Sequence, residues 1–254
     1  MSRRALVRRP GPHLAEGLVT HISRSPVDGD LALRQWQGYV DALRAAGWET
    51  VEVPPADECP DAVFVEDTVV VYGDLAVMAR PGADQRRPEV TGTESTLHGL
   101  GYRIARIEAP GTLDGGDVLK HDGTVWVGLG GRTNEAGMQQ LATVLAPMGA
   151  EVVGVPVSRV LHLKSGVTAL PDGTVIGYEP LVDDPDRWPA FLSVPEAEGA
   201  HVVLLDGSTV LMSASAPATR ALFEGRGLRV IAVDITEFEK LEGCVTCLSV
   251  RLRG

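Results

Sequence analysis

The chain has 254 residues, 44% of them apolar and 22% charged. That is enough to bury a sizeable core, and it excludes a disordered chain, a collagen-like fibre or a small disulfide scaffold. With 34 acidic residues against 23 basic ones the net charge is −11, which argues against a nucleic-acid or anionic-membrane partner and suits a small cationic ligand.

The N-terminus, Met1 to Pro10, is briefly basic, but no apolar stretch of signal-peptide length follows it. The longest uncharged run, Ala136–Ala150, is broken by Gln, Thr, Gly and Pro, so no segment is expected to span a bilayer. Three cysteines, Cys59, Cys244 and Cys247, without a secretion signal point to free thiols in a reducing cytoplasm.

Along the chain, Ala5–Arg8 is a short apolar piece. Leu31–Ala46 has helical spacing and stops at Gly47, and Glu49–Val53 follows as a strand. Ala62–Tyr72 and Leu75–Ala79 read as a hairpin across Gly73-Asp74. Helix Arg87–Leu100 and strand Tyr102–Ile107 come next. Asp117–Lys120 and Thr124–Gly128 pair across Asp122-Gly123, before helix Asn134–Pro147 and strand Glu151–Val155. Gly166–Leu170 pairs with Thr174–Tyr178, and His201–Leu205 with Thr209–Met212, each across Asp-Gly. Helix Ala216–Glu224, strand Leu228–Val233 and a final strand, Cys244–Leu252, complete the chain. Hairpin, helix and strand thus recur about four times. Pairing of the two terminal pieces would add a fifth unit and close a ring without sheet edges. An open α/β or α+β sheet fits the same pattern equally well.

No phosphate loop, H-E-x-x-H or G-x-S-x-G motif is present. Cys244 and Cys247 form a C-x-x-C pair. On a strand the two side chains would face opposite ways, which disfavours a redox pair, and there is no second pair to complete a zinc site. His162 sits between two leucines, a setting typical of core histidines. Asp61, Glu66 and Asp67 crowd the first hairpin, and Asp114 and Asp117 flank paired glycines. Buried carboxylates need cations. Either a distant basic side chain or the substrate would supply them. Arg86 and Arg132 together could clamp a carboxylate.

Six ordered blocks carry a resemblance: Pro60–Asp67, Arg80–Ala83 with Arg86-Arg87, Thr112–Val118, Val127–Leu129 leading to Arg132–Asn134, Leu161–Ser165, and Leu241–Gly243 with Thr246–Val250. They resemble the dimethylarginine dimethylaminohydrolases of the guanidino-group-modifying, or pentein, superfamily. The resemblance implies one catalytic domain, 1–254, folded as a five-fold pseudosymmetric α/β propeller closed by its terminal strands. It implies Cys247 as nucleophile, His162 as general acid/base and Asp114 as the carboxylate beside it. Asp61, Glu66 and Asp67 would surround the substrate's cationic head, with Phe64 lining the pocket. Arg86 and Arg132 would hold the α-carboxylate, and backbone near Leu18 and Leu241 would complete the site. Pro10–Asp30, where the match is poorest, would be a lid.

The implied reaction is attack of the Cys247 thiolate on a guanidino carbon, loss of an amine through a thiouronium intermediate, and hydrolysis to citrulline, with no metal or organic cofactor. An arginine deiminase is the nearest alternative, although such enzymes are usually longer. Further alternatives are an amidino transferase, a non-catalytic ribosome-binding pentein and a thiol–disulfide protein using Cys244 and Cys247. Glu242 and Cys244 depart from the family pattern. Oligomeric state is not legible in the sequence, and a homodimer is compatible with it.

Overall fold

Glycine turns and β-branched runs set the local pattern. Gly73, Gly123 and Gly173 hold φ values of 58°, 77° and 88°, and Gly47 and Gly101, at 83° and 86°, follow helices. The computed structural model describes residues 3–121 and 123–253; Asp122 of the second predicted turn lies outside them.

In the opening segment β1 (Arg3–Val7) leads to α1 (Gly29–Ala45) and β2 (Glu49–Glu52). The Asp28 side chain caps α1 by accepting from Leu31 N. The next unit holds β3 (Val69–Tyr72), β4 (Leu75–Met78), α2 (Val90–Gly99) and β5 (Arg103–Arg106). The third holds β6 (Val118–His121), β7 (Thr124–Leu129), α3 (Glu135–Leu145) and β8 (Glu151–Pro156). In the fourth, the short helix α4 (Leu163–Gly166) precedes β9 (Val167–Ala169), β10 (Val175–Gly177) and β11 (Phe191–Ser193). The last comprises β12 (Val202–Leu204), β13 (Thr209–Ser213), α5 (Pro217–Gly225) and β14 (Arg229–Val233), followed by α6 (Thr236–Glu239) and β15 (Val250–Arg253).

These strands make five three-stranded sheets. Each has an antiparallel pair extended by a parallel third strand, as in β3–β4–β5. The terminal pieces pair as expected: β15 runs antiparallel to β1, with Arg4 opposite Leu252, and β2 joins β1 in parallel. The closed five-fold α/β propeller is therefore the observed architecture, and the open sheet is excluded.

Three local expectations need correction. The run Ala62–Tyr72 becomes a strand only at Val69, because Val65–Thr68 is a 3-10 turn. The predicted strand Cys244–Leu252 begins only at Val250. The connection from β10 to β11 has no long helix, and β11 was not recognised.

The consequence for the site is topological. Single helical turns, Val65–Thr68, Gly115–Asp117 and α4, lead directly into β3, β6 and β9, and Ala197–Ala200 stands one residue before β12. The turn at Cys244–Cys247, closed by Cys247 N donating to Cys244 O, stands in the same place shortly before β15. The turns are laced to one another around the ring. Glu66 N donates to Cys247 O, Gly116 N to Asp67 Oδ1 and Leu163 N to Asp117 Oδ1. Tyr39 of α1 locks the last turn, donating from its hydroxyl to Val245 O at 2.8 Å and lying 2.7 Å from Ser249 Oγ. The buried Arg8 guanidinium braces the second unit through the carbonyls of Pro54, Ala62 and Glu89.

Candidate active site

His162 caps α4 with an extended backbone, which turns its ring toward the neighbouring units. Its Nε2 lies 3.1 Å from Asp114 Oδ2, and its Nδ1 lies 3.7 Å from Asp67 Oδ1. Both carboxylates are held from behind. Asp114 Oδ1 accepts from Gly82 N at 2.9 Å, and Asp67 Oδ2 accepts from Arg86 Nη1 at 2.7 Å.

The glycines between Asp114 and Asp117 are required by this closeness. A β-carbon on Gly115 would sit 2.0 Å from Glu66 O, and one on Gly116 would sit 2.6 Å from both Asp67 Oδ1 and His162 Nδ1. Gly116→Ala is therefore expected to push His162 and Asp67 apart. A displacement of about 1 Å there corresponds to a kcat loss of about 100-fold. Steady-state kinetics checks this, with circular dichroism as the control for folding.

The electrostatics set the protonation states. Burial opposes the His162 imidazolium, but the charges of Asp67 and Asp117 and the hydrogen bond with Asp114 outweigh it and raise the group to about 9. Burial likewise opposes the Asp67 carboxylate, yet His162 and Arg86 bring it down to about 2. Burial pushes Asp117 up to about 6, against the charge of His162 and the Thr133 hydroxyl. At neutral pH the pair is thus imidazolium and carboxylate.

Cys247 and Cys244 are both buried, and their sulfurs are 3.3 Å apart. The expectation that they face opposite ways fails, because 244–247 is a turn and not a strand. The hydrogen bond between the two thiols, then burial and the nearby carboxylates Asp67 and Glu66, hold the Cys247 thiol well above its usual range.

Cys247 and His162 open on a narrow cleft also lined by Leu18, Asp61, Phe64, Asp67, Arg86 and Arg132. Its free volume is about 10 Å³, the room of a single water. A strap closes it: Leu18 N donates to both Asp61 oxygens at 3.1 Å, and Thr20 N and His21 N donate to the Glu242 carboxylate. Glu242 holds φ at 60°, a left-handed conformation that costs a side-chain-bearing residue roughly 1–2 kcal/mol.

Two known proteins resemble the chain over nearly its whole length. The dimethylarginine dimethylaminohydrolase of Streptomyces coelicolor is 63% identical over 252 residues, covering 99% of this chain and 98% of that one. That of Pseudomonas aeruginosa is 33% identical over 99% of this chain and all of its own. The chain belongs to the dimethylarginine dimethylaminohydrolase family. A solved dimethylarginine dimethylaminohydrolase, a histidine-to-glycine variant carrying an adduct with S-methyl-L-thiocitrulline, superimposes with a TM-score of 0.93 at 32% identity. Another, a cysteine-to-serine variant from Pseudomonas aeruginosa complexed with citrulline, gives 0.91. No protein-family model matches the sequence. The N-terminal domain of an arginine dihydrolase shares the fold, with a TM-score of 0.84 at 21% identity.

Within this dimethylarginine dimethylaminohydrolase fold, Leu18, Asp61, Phe64, Asp67, Arg86, Arg132, His162, Leu241 and Cys247 all reach the cleft. Asp114 stands behind it, fully buried against His162. Glu66 does not reach it, and the reading of its carboxylate as part of the substrate's surroundings is corrected. Glu66 Oε1 lies 2.6 Å from Lys164 Nζ and 2.8 Å from Arg251 Nη2, on a separate cavity of about 340 Å³. Both cations come from other units of the ring, so the missing partner of Glu66 is structural.

Arg86 lines the cleft but is largely engaged within the protein. Its Nε and Nη2 bond Glu89, Nη2 also reaches the carbonyls of Asp61 and Phe64, and Nη1 bonds Asp67. Of the five N–H donors of an arginine, one at Nη1 is left over. Arg132 is different. Its buried Nη1 has no hydrogen-bond partner among the described residues and stands 3.8 Å from Asp114 Oδ2.

Leu161, Glu242 and Gly243 also line the cleft and were not singled out as site residues. Gly243 is required by the fold, since a β-carbon there would lie 2.3 Å from the Phe64 ring, a closeness no sequence spacing shows. Asp67, Asp114 and His162 each offer a donor atom within 4.8 Å of the others, the spread of a three-ligand metal site. Metal binding needs a neutral imidazole, whereas these two carboxylates hold His162 as a cation.

Proposed function

We propose that this protein hydrolyses Nω-methylated arginines, asymmetric dimethylarginine and monomethylarginine, to citrulline and dimethylamine or methylamine. The supporting observation is one cleft that carries a thiol, an imidazolium and the carboxylates of Asp61, Asp67 and Glu242, with Arg132 Nη1, which has no hydrogen-bond partner among the described residues, buried in its wall. The first group set suits a guanidinium, and the last suits an α-carboxylate. The S. coelicolor and P. aeruginosa relatives bear the corresponding name.

In this reading Asp61 and Asp67 hold the guanidinium. Burial raises the Asp61 carboxyl above its ordinary range despite Arg86, so a guanidinium beside it would favour its charged form. The same cation lowers the Cys247 thiol, making activation depend on substrate. The Cys247 thiolate attacks the guanidino carbon. His162 gives its proton to the departing amine, leaving a Cys247 thiouronium. His162, now neutral, takes a proton from water as the water attacks, and citrulline leaves with the thiolate restored. Asp114 keeps the ring oriented and favours its protonated form. A thiol that works reduced, with all three cysteines unpaired, fits a cytoplasmic setting.

The decisive experiment is citrulline release from asymmetric dimethylarginine and from arginine in parallel. Citrulline from the methylated substrate supports the proposal. Citrulline from arginine alone makes the enzyme a deiminase, and none from either overturns the reading.

Arg132→Ala is expected to raise KM for α-amino-acid guanidines about 30-fold, equivalent to about 2 kcal/mol for charge-assisted hydrogen bonds. Simple guanidines without a carboxylate should lose far less. Equal losses on both would remove the clamp role.

His162 has a raised pKa, so its acid form persists through neutrality and is lost as pH rises through about 9. Turnover at saturating substrate should therefore fall on that alkaline limb. Asp114→Asn removes one of the groups that raise His162 and should move the limb to lower pH. A limb that stays put in this variant would separate Asp114 from the proton transfer.

A further inference from the structure

We propose that Cys244 and Cys247 form a reversible disulfide, so that Cys244 is a modification site through which peroxides switch off the nucleophile. This goes beyond the hydrolase reading, since it concerns a second thiol that the hydrolysis does not use. The backbone already has the required shape. Cys247 N donates to Cys244 O at 3.1 Å, closing a four-residue turn. Such a turn keeps its end Cα atoms within about 7 Å, and disulfides need about 4.4–6.8 Å. The sulfurs face each other at 3.3 Å with no side chain between them. Only a side-chain rotation that brings them to about 2 Å is needed.

The two thiols line different cavities. Cys247 opens on the substrate cleft, whereas Cys244 lines a second cavity of about 170 Å³ with Ile22, Leu181, His201, Ile235 and Glu239. A small neutral peroxide can therefore meet Cys244 while the strap shuts the substrate cleft. The surroundings also favour Cys244 as the attacking sulfur. Thr246 Oγ1 lies 3.3 Å from its Sγ and can donate to a thiolate, and Cys247 donates from the other side. The hydrogen bond with Cys247, aided by the charge of His201 and by Thr246, lowers the Cys244 thiol against its burial.

The chemistry balances with a peroxide as oxidant. The Cys244 thiolate attacks a peroxide oxygen, the O–O bond breaks, and hydroxide leaves to be protonated by solvent. Cys244 is then a sulfenic acid. The Cys247 thiol attacks that sulfur, the S–S bond forms, and the hydroxyl departs as water with the Cys247 proton. Two thiols and one hydrogen peroxide thus yield one disulfide and two waters. A dithiol reductant reverses it. Cys244 in this role also shields Cys247 from irreversible overoxidation, because the disulfide forms first.

The test treats the reduced protein with graded hydrogen peroxide and alkylates the remaining thiols with iodoacetamide. Intact mass and non-reduced peptide maps are then read. The expected result is joint loss of the Cys244 and Cys247 thiols, a protein lighter by two hydrogens, a linked Cys244–Cys247 peptide, and Cys59 still alkylated. Citrulline formation falls in step and returns with dithiothreitol. Cys244→Ser, measured against its own untreated rate, should instead gain oxygen on Cys247 and, at excess peroxide, fail to recover. Absence of the linked peptide at a dose that blocks Cys247 alkylation overturns the proposal, as does recovery of Cys244→Ser equal to wild type. Thiol counts and masses need no substrate, so the outcome stands even where the hydrolase assay fails.

Discussion

Cys247→Ser is expected to lose citrulline formation by at least about 10⁴-fold, the scale set by removing a covalent nucleophile. A serine hydroxyl is far less acidic than a thiol, and the cleft offers it little help. Its neighbours there include Asp67, an anion at neutral pH, and His162 is already protonated, so no base stands ready. The substitution removes one polarisable atom from a buried turn that Tyr39 and Glu66 hold through the backbone. The fold and the substrate's ion pairs should therefore survive. Isothermal titration with citrulline or dimethylarginine should give a dissociation constant close to that of wild type. Retained turnover would refute covalent catalysis, whereas loss of binding would place Cys247 in the structural framework.

His162→Gly is expected to lower turnover of dimethylarginine by roughly 10³–10⁴-fold, the upper part of the range for general acid–base catalysis, because the proposed mechanism uses the residue in both half-reactions. The two roles can be separated by the leaving group. Dimethylamine must be protonated as it departs, whereas methanethiol leaves with less assistance. With S-methyl-L-thiocitrulline the variant should still form the Cys247 thiouronium but fail to hydrolyse it. A mass increase confined to the Cys247 peptide would show this. Rapid release of citrulline instead would mean that another group activates water. A solved relative with a histidine-to-glycine change does carry an adduct with this compound. The vacated space borders Asp67, Asp114 and Asp117, three carboxylates left without their shared cation. Some loss of stability is expected as well, and it should shrink at low pH, where Asp117, raised by burial and no longer lowered by His162, becomes neutral first.

The legible part of this protein is its local grammar. Glycine turns with positive φ, alternating apolar strands and capped helices depend on residues a few positions apart. The hairpins around Gly73 and Gly173 and the helix after Asn134 therefore appear where expected. Ring closure was readable as a possibility because apolar pieces stand at both termini, and β1 with β15 realises it. Strand β11 escaped because three residues, Phe191–Ser193, carry too short a pattern, with only short 3-10 turns before them.

The residues that gather at the cleft were legible as types and blocks, but their electrostatic partners were not. Glu66 and Asp67 are adjacent in sequence yet serve opposite sides of one turn, the former held by Lys164 and Arg251, the latter by Arg86 and His162. Spacing alone ranked them together. The two thiols show the same limit: a strand rule put them on opposite faces, while the tie between Cys247 O and Glu66 N, from a distant unit of the chain, accompanies the turn that joins them. Residue types and turn chemistry are local properties, so the chain's order carries the elements and the chemical inventory. Which carboxylate faces a ligand, and which thiol faces another thiol, depends on ion pairs and hydrogen bonds between units far apart in the chain, and these exist only once the ring has closed.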